Sequence, residues 1–146
     1  MVKYVALNQN NLAALAEKYV DYYNNCEGGV WTMEKALTRI GQVVNICDSY
    51  CIVQTDGGNV TGFAMGYFKQ YDDLVSYFLE EIVVFKPYQN QGYGTKMLNK
   101  LQRYAKARGA KIMELMSVND LRHMHFYGKF GFKQTKTLAP MGKFFN

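Results

Sequence analysis

Proline is scarce in this chain, with only Pro87 and Pro140 among 146 residues. No Pro- or Ser-rich linker and no internal repeat divides it, so 1–146 reads as a single domain. Cysteine is scarce too: Cys26, Cys47 and Cys51 are odd in number, and none stands in a C-x-x-C. Cys47 and Cys51 have no histidine nearby to complete a zinc site, so no metal is expected. All three read as reduced thiols of a cytoplasmic protein, small hydrophobes buried in its core. No apolar run approaches the ~18 residues of a membrane span. Met1 to Asn11 lacks the basic-then-apolar layout of a signal peptide. Neither membrane nor export is implied. Histidine is limited to His123 and His125, whose spacing puts them on different helix faces, away from any shared metal.

Acidic side chains are outnumbered, 12 against 17 basic ones, which leaves a net charge of +5. That balance favours an anionic partner. The basic residues form no run. Lys96, Lys100, Arg103, Lys106, Arg108 and Lys111 recur at near-helical spacing, the pattern of a solvated helix face, and would also suit a phosphate-rich cofactor. With charge this dispersed and no recognition motif, no nucleic acid is expected. Hydrophobic residues make up 49%, enough for a substantial core.

Periodicity gives the order β-α-α-β-β-β-α-β-α-β-β. Val2–Leu7 reads as a strand, and Asn8–Asn11 offers caps for a helix bearing Leu12, Leu15, Tyr19 and Tyr23. Glu27-Gly28-Gly29 breaks the chain, and Thr32 can cap a second helix. Strands over 49–55 and 60–68 flank the hairpin turn Asp56-Gly57-Gly58-Asn59. Leu74–Phe85 is a further apolar strand carrying two carboxylates. Gly92–Arg108 is an amphipathic helix, Lys111–Ser117 a strand, Leu121–Lys129 a short helix, and Phe132–Phe145 offers two strands bent near Pro140. One mixed sheet with helices on both faces, an α/β (α+β) fold, packs these elements.

Between the strand of Leu74–Phe85 and the helix stands Gln89-Asn90-Gln91-Gly92-Tyr93-Gly94-Thr95. Two glycines allow tight backbone angles and bring bare N–H groups near a ligand. A helix N-terminus adds unpaired donors and partial positive charge, which suits a pyrophosphate. No Gly-Lys-Ser/Thr follows, and a third glycine is missing, so neither a P-loop nor a dinucleotide fingerprint is present.

These residues resemble the GNAT acetyltransferase superfamily. Gln89-x-x-Gly92-x-Gly94 is similar to its acetyl-CoA loop, and Asn119 with Phe126-Tyr127-x-x-x-Gly131-Phe132 to its second signature. The order of elements agrees over nearly the whole chain. Gly62-Phe63-Ala64-Met65 and Leu79-Glu80-Glu81 resemble the polyamine (spermidine/spermine) branch. The resemblance implies a mostly antiparallel mixed sheet with one splayed parallel strand pair, Ile82–Phe85 and Met113–Ser117, between which acetyl-CoA wedges. It implies that the pantetheine pairs with the backbone at Val83 and Val84, beside Ile82. The pyrophosphate would sit on the N–H groups of Gln89 to Thr95, through Asn90, Gln91, Gly92, Tyr93 and Gly94. Asn119 would hold the arm from the other side. Asn119 stands one residue further from Tyr127 than the family's asparagine usually does, and Asp120 takes the usual place.

The implied reaction is direct attack of a primary amine on acetyl-CoA, with a small cationic molecule or a peptide as acceptor. The alternative is a non-catalytic acyl-CoA binder of the same fold; a homodimer stays open. Tyr127 would protonate the departing thiolate. Glu80 and Glu81 are neighbours, so in a regular strand they face opposite ways. Glu80 shares the face of Val84 and falls where the polyamine branch has its base, with Glu81 as helper. A bulge between Glu80 and Val84 would exchange the faces and make Glu81 the base. Glu114 is the rival base. Trp31, Tyr22 and Tyr23 either line the acceptor pocket or pack.

Overall fold

The computed structural model describes all 146 residues, Met1 to Asn146. They form two compact units, Met1–Leu115 and Met116–Asn146. The first contains β1 (Val2–Ala6), α1 (Leu12–Cys26), α2 (Met33–Val44), β2 (Ser49–Asp56), β3 (Asn59–Gln70), β4 (Val75–Val84), α3 (Tyr93–Ala107) and β5 (Ile112–Leu115). A single 3-10 turn, Lys86–Tyr88, joins β4 to the loop before α3. The second unit holds α4 (Leu121–Gly128).

The sheet runs in the order β1-β2-β3-β4-β5. Its first four strands pair antiparallel, and β5 pairs parallel to β4. Alternation in each strand sends one set of apolar side chains to each face. Cys51, Val53, Phe63, Met65 and Val83 meet Leu15, Ala16 and Tyr19 of α1 and Ala36, Ile40 and Val43 of α2. On the other face α3 buries Met97, Leu98, Leu101 and Ala105. There Tyr104 stacks on Tyr50 of β2 at 3.6 Å between ring centroids. Both layers exist because the sheet is apolar on two sides and cannot leave either in water.

Two bulges interrupt the ladders. Between β2 and β3, Gln54 opposes Gly62 and Thr55 opposes Val60, leaving Thr61 as the extra residue. Between β3 and β4, Met65 opposes Glu81 and Gly66 opposes Leu79, leaving Glu80 extra. Gly66 is required where Tyr77 crosses it, since a Cβ there would collide with the Tyr77 hydroxyl. That hydroxyl donates to Tyr50 O at 2.8 Å.

Several sequence expectations need correction. Phe132–Phe145 forms no strand. Pro140 lacks the N–H a ladder needs, and Leu138, Met141, Phe144 and Phe145 are all exposed instead of lining one face. Cys51 is buried, but Cys26 and Cys47 are exposed, because they stand at a helix end and in the turn before β2. Thr32 caps α2 as expected, accepting from the Lys35 N–H at 3.2 Å. Asn11 does not cap α1: its side chain accepts from Asn8 N–H and donates to Ala6 O.

Candidate active site

β5 ends early, and this opens the sheet. Its pairing with β4 stops at Leu79 and Leu115, while β4 continues to Val84. The splay therefore begins later than Met113: Met113, Glu114 and Leu115 are still paired to β4. From Glu80 to Val84 one edge of β4 carries no strand. Phe85 N–H donates to Thr61 O on the β3 side. By alternation the backbone of Val83 points to β3 as well, and the outward groups belong to Ile82 and Val84. Pairing along this edge thus falls to Ile82 and Val84, with Val83 turned inward. Gln89 Nε2 already donates to Val84 O at 2.8 Å.

Gln89 ties the loop to the sheet. Besides Val84, its amide donates to the Tyr22 hydroxyl at 3.2 Å. Its own N–H donates to Lys86 O at 3.3 Å, which removes it from the expected anion cradle. Beyond it the backbone turns left-handed at Asn90 and Gly92, with φ of 62° and 87°. Gly92 is the N-cap position of α3 and, having no side chain, caps nothing. The first main-chain bond of the helix is Lys96 N–H to Gly92 O. No acceptor in the chain takes the N–H groups of Asn90 through Thr95. Such a turn of free donors at a positive helix end is built for an oxyanion.

The bulge at Glu80 decides where the carboxylates go. Below it, Phe78 faces the α1/α2 side and Leu79 the α3 side; above it, Val83 faces α1/α2 again. The extra residue breaks the alternation, so Glu80 and Glu81 lie on the same face, against the expectation of opposite ones. Arg39 of α2 bridges them, its Nη2 donating to Glu80 Oε1 and Glu81 Oε1 at 3.2 Å each. Glu81 also accepts from the Tyr23 hydroxyl at 2.9 Å and the Tyr19 hydroxyl at 3.4 Å. Glu80 has Arg39 as its sole partner. Burial, then the Glu81 charge, pushes the Tyr23 and Tyr19 phenols well above their ordinary value, so both remain donors. Burial, then the bond to Glu27, pushes Tyr22 up to about 12. Burial alone would lower Arg39, but Glu81 and Glu80 outweigh it and hold the guanidinium charged. Tyr22 lies in the core with Tyr23 and Trp31 packed against it, and Trp31 also borders a groove of ≈ 530 Å³ that runs along α2 past Lys35 to Arg39.

The rival base Glu114 accepts from Ser76 at 2.6 Å and Tyr71 at 2.9 Å. Asn119 and Tyr127 stand in the second unit. There Asp120 caps α4, accepting from the His123 N–H at 2.8 Å, which commits the side chain that takes the usual asparagine's place. Tyr127 packs between Phe126 and Phe132, at 5.2 and 5.8 Å between centroids, and burial raises its phenol. Arg39, Tyr19 and Gln54 were missed in the sequence reading. Each lies far along the chain from the group it touches, and no local spacing marks it.

Residues 12–132 match the Acetyltransferase (GNAT) family. The chain belongs to that family. An uncharacterized N-acetyltransferase of Methanocaldococcus jannaschii is 34% identical over 61 residues, 41% of this chain and 27% of that protein's length. The chain thus spans about a quarter of the length of that curated relative. Among solved structures, a Clostridium difficile 630 protein described as a possible acetyltransferase superposes with a TM-score of 0.83 at 12% identity. It covers 100% of this chain and 99% of its own. A Clostridium acetobutylicum protein, described as a predicted acetyltransferase with acetyl-CoA, gives 0.76 at 14% identity, covering 97% and 96%. These likenesses establish the GNAT fold. No helix is long and apolar enough to cross a membrane. The structure contains no group of three or more side chains suited to a metal ion.

Proposed function

We propose that this GNAT protein transfers the acetyl group of acetyl-CoA to a primary amine by direct attack. One observation carries the reading: the six unpaired amides from Asn90 to Thr95 flank the strandless edge of β4 on which Glu80 and Glu81 stand. The diphosphate meets the amides, and the pantetheine runs along Ile82 and Val84. An ammonium of pKa ~10.4 must lose its proton before attack, which costs about 4.6 kcal/mol at pH 7. The bulge puts both carboxylates on one face instead of exchanging them, so the donors each meets assign the roles. Glu80 takes that proton directly or through water, since its second oxygen is unengaged, while Glu81 is engaged by Arg39, Tyr19 and Tyr23. Glu81, held by Arg39 and two tyrosines, orients its neighbour. As the thioester carbonyl becomes tetrahedral, the backbone at Glu80, which has no register partner on β3, is the nearest candidate to support its oxyanion. For Tyr127 and Asn119 the support is the resemblance of Asn119 and Phe126-Tyr127-x-x-x-Gly131-Phe132 to the family's second signature: the phenol would donate to the leaving sulfur and the amide would steady the arm.

The acceptor is a small cationic amine of polyamine-like character. Two carboxylates against one guanidinium leave a single negative charge at the bulge, which suits one incoming ammonium. The test is release of free CoA thiol from acetyl-CoA in the presence of spermidine, an aminoglycoside, an amino acid or a lysine peptide. Acceptor-dependent release with spermidine ahead of the peptide is expected. Tight acetyl-CoA binding without release by any amine would overturn catalysis in favour of a non-catalytic binder.

A further inference from the structure

We propose that Gln54 is a positioning residue for the diphosphate site, holding the Tyr93–Gly94 peptide group, and with it the free amides of the first α3 turn, in receiving geometry. The inference rests on reading Asn90–Thr95 as the diphosphate cradle. Gln54 lies on β2, facing α3, with 0% exposure. Its Nε2 donates to the main-chain oxygen of Tyr93 at 3.1 Å and to the Tyr4 hydroxyl at 3.2 Å. Its Oε1 accepts from the Thr61 hydroxyl at 2.8 Å. Thr61 reaches it because it is the extra residue of the β3 bulge, and it too is fully buried.

Only one orientation of the amide fits. Tyr93 O is solely an acceptor, so turning the amide over would set two oxygens against each other. Both amide hydrogens and the oxygen are engaged. A buried polar group this fully satisfied fixes geometry. The oxygen it grips belongs to the same peptide group as the Gly94 N–H, one of the free donors. A hydrogen bond to the carbonyl end polarises the N–H end, so Gln54 both anchors that donor and strengthens it. α3 needs such support because Gly92 supplies no cap. Asp56 adds a second tether, accepting from the Tyr93 hydroxyl at 2.7 Å.

Gln54→Met keeps the shape and removes the donors. Calorimetry should show acetyl-CoA binding weakened about tenfold or more, the scale of one hydrogen bond to a charged-site donor. Binding of S-acetyl-pantetheine, which lacks the diphosphate, should stay unchanged. A Gln54→Met protein that binds acetyl-CoA like the wild type, or that loses both ligands equally, overturns the proposal. Should that variant fail to fold, Thr61→Val carries the test: it removes only the orienting hydroxyl, and a several-fold loss confined to acetyl-CoA is expected. Unchanged acetyl-CoA affinity there overturns it too. Failure of the wild type to bind acetyl-CoA would instead sink the cradle reading, and this inference with it.

Discussion

Glu80 and Glu81 are chemically alike, and what separates them is the set of donors each meets. Glu81 has a side-chain exposure of 13% and three donors, Tyr23, Tyr19 and Arg39; Glu80 is at 27% and shares only Arg39. Charge-assisted bonds are worth ~1.5–3 kcal/mol when lost from buried sites, and exposed ion pairs under about 1. Urea titration should therefore find Glu81→Gln clearly less stable than wild type and Glu80→Gln nearly as stable. In turnover the order reverses. The Glu80→Gln rate at pH 7 should fall, with part of the loss returning at higher pH as the amine deprotonates unaided. If alkali rescues only the Glu81 variant, the roles are exchanged; if it rescues neither, Glu114 is next. Tyr127 is pushed up by burial, so its phenol is protonated at neutral pH and can donate. Tyr127→Phe should lower turnover about 10²-fold with acetyl-CoA affinity little changed. A wild-type rate would reduce it to a packing ring.

At the level of elements, the start of α3 holds the proposed diphosphate loop, and its left-handed turn depends on glycine. Gly92 has φ of 87° with nothing within 4 Å of where a Cβ would stand. An alanine there meets open space but pays the left-handed penalty, about 1–2 kcal/mol. Gly92→Asp adds negative charge to the proposed diphosphate loop, and acetyl-CoA affinity should drop well over tenfold, a loss of about 1.4 kcal/mol or more. Unchanged affinity in a folded variant would remove the diphosphate from this loop. The Asp56 tether gives the element a pH signature. The Tyr93 hydroxyl, then the Met1 ammonium, hold the Asp56 carboxyl below the usual carboxylate value of ~3.9. A depressed folded pKa contributes stability above the unfolded value, and that contribution fades as pH falls through the folded one. Tyr93→Phe should be less stable than wild type at pH 7, and the gap should narrow below about pH 4. A gap that is constant down to pH 2 would mean the hydroxyl does not support the carboxylate.

Across the whole molecule, binding and folding are linked. A ligand that occupies only the folded state adds about 2.7 kcal/mol at a hundredfold excess over its Kd. For a chain of 146 residues that is a rise in Tm of several degrees with acetyl-CoA, far less with S-acetyl-pantetheine. The net charge of +5 and an anionic ligand together make the effect salt-sensitive, so added salt should shrink it. A shift of equal size for both ligands would show that the diphosphate contributes nothing.

The sequence by itself determined what depends on neighbours along the chain. The order of elements up to α4, the Thr32 cap and the glycine turn before α3 are local facts of periodicity and φ, and each was legible. The tail was misread because a strand needs a partner as well as β-prone residues. Only the tertiary structure decided the faces and the contacts. Glu80 and Glu81 face the same side because one extra residue, Glu80, stands between the Met65–Glu81 and Gly66–Leu79 pairs, and the pairing that creates it lies on another strand. Arg39 reaches Glu80 and Glu81 across 41 and 42 residues, and Gln54 reaches Tyr93 across 39. A polar side chain looks the same in sequence whether water or a distant main-chain oxygen satisfies it. Burial makes that choice, and burial is a property of the packed sheet and helices.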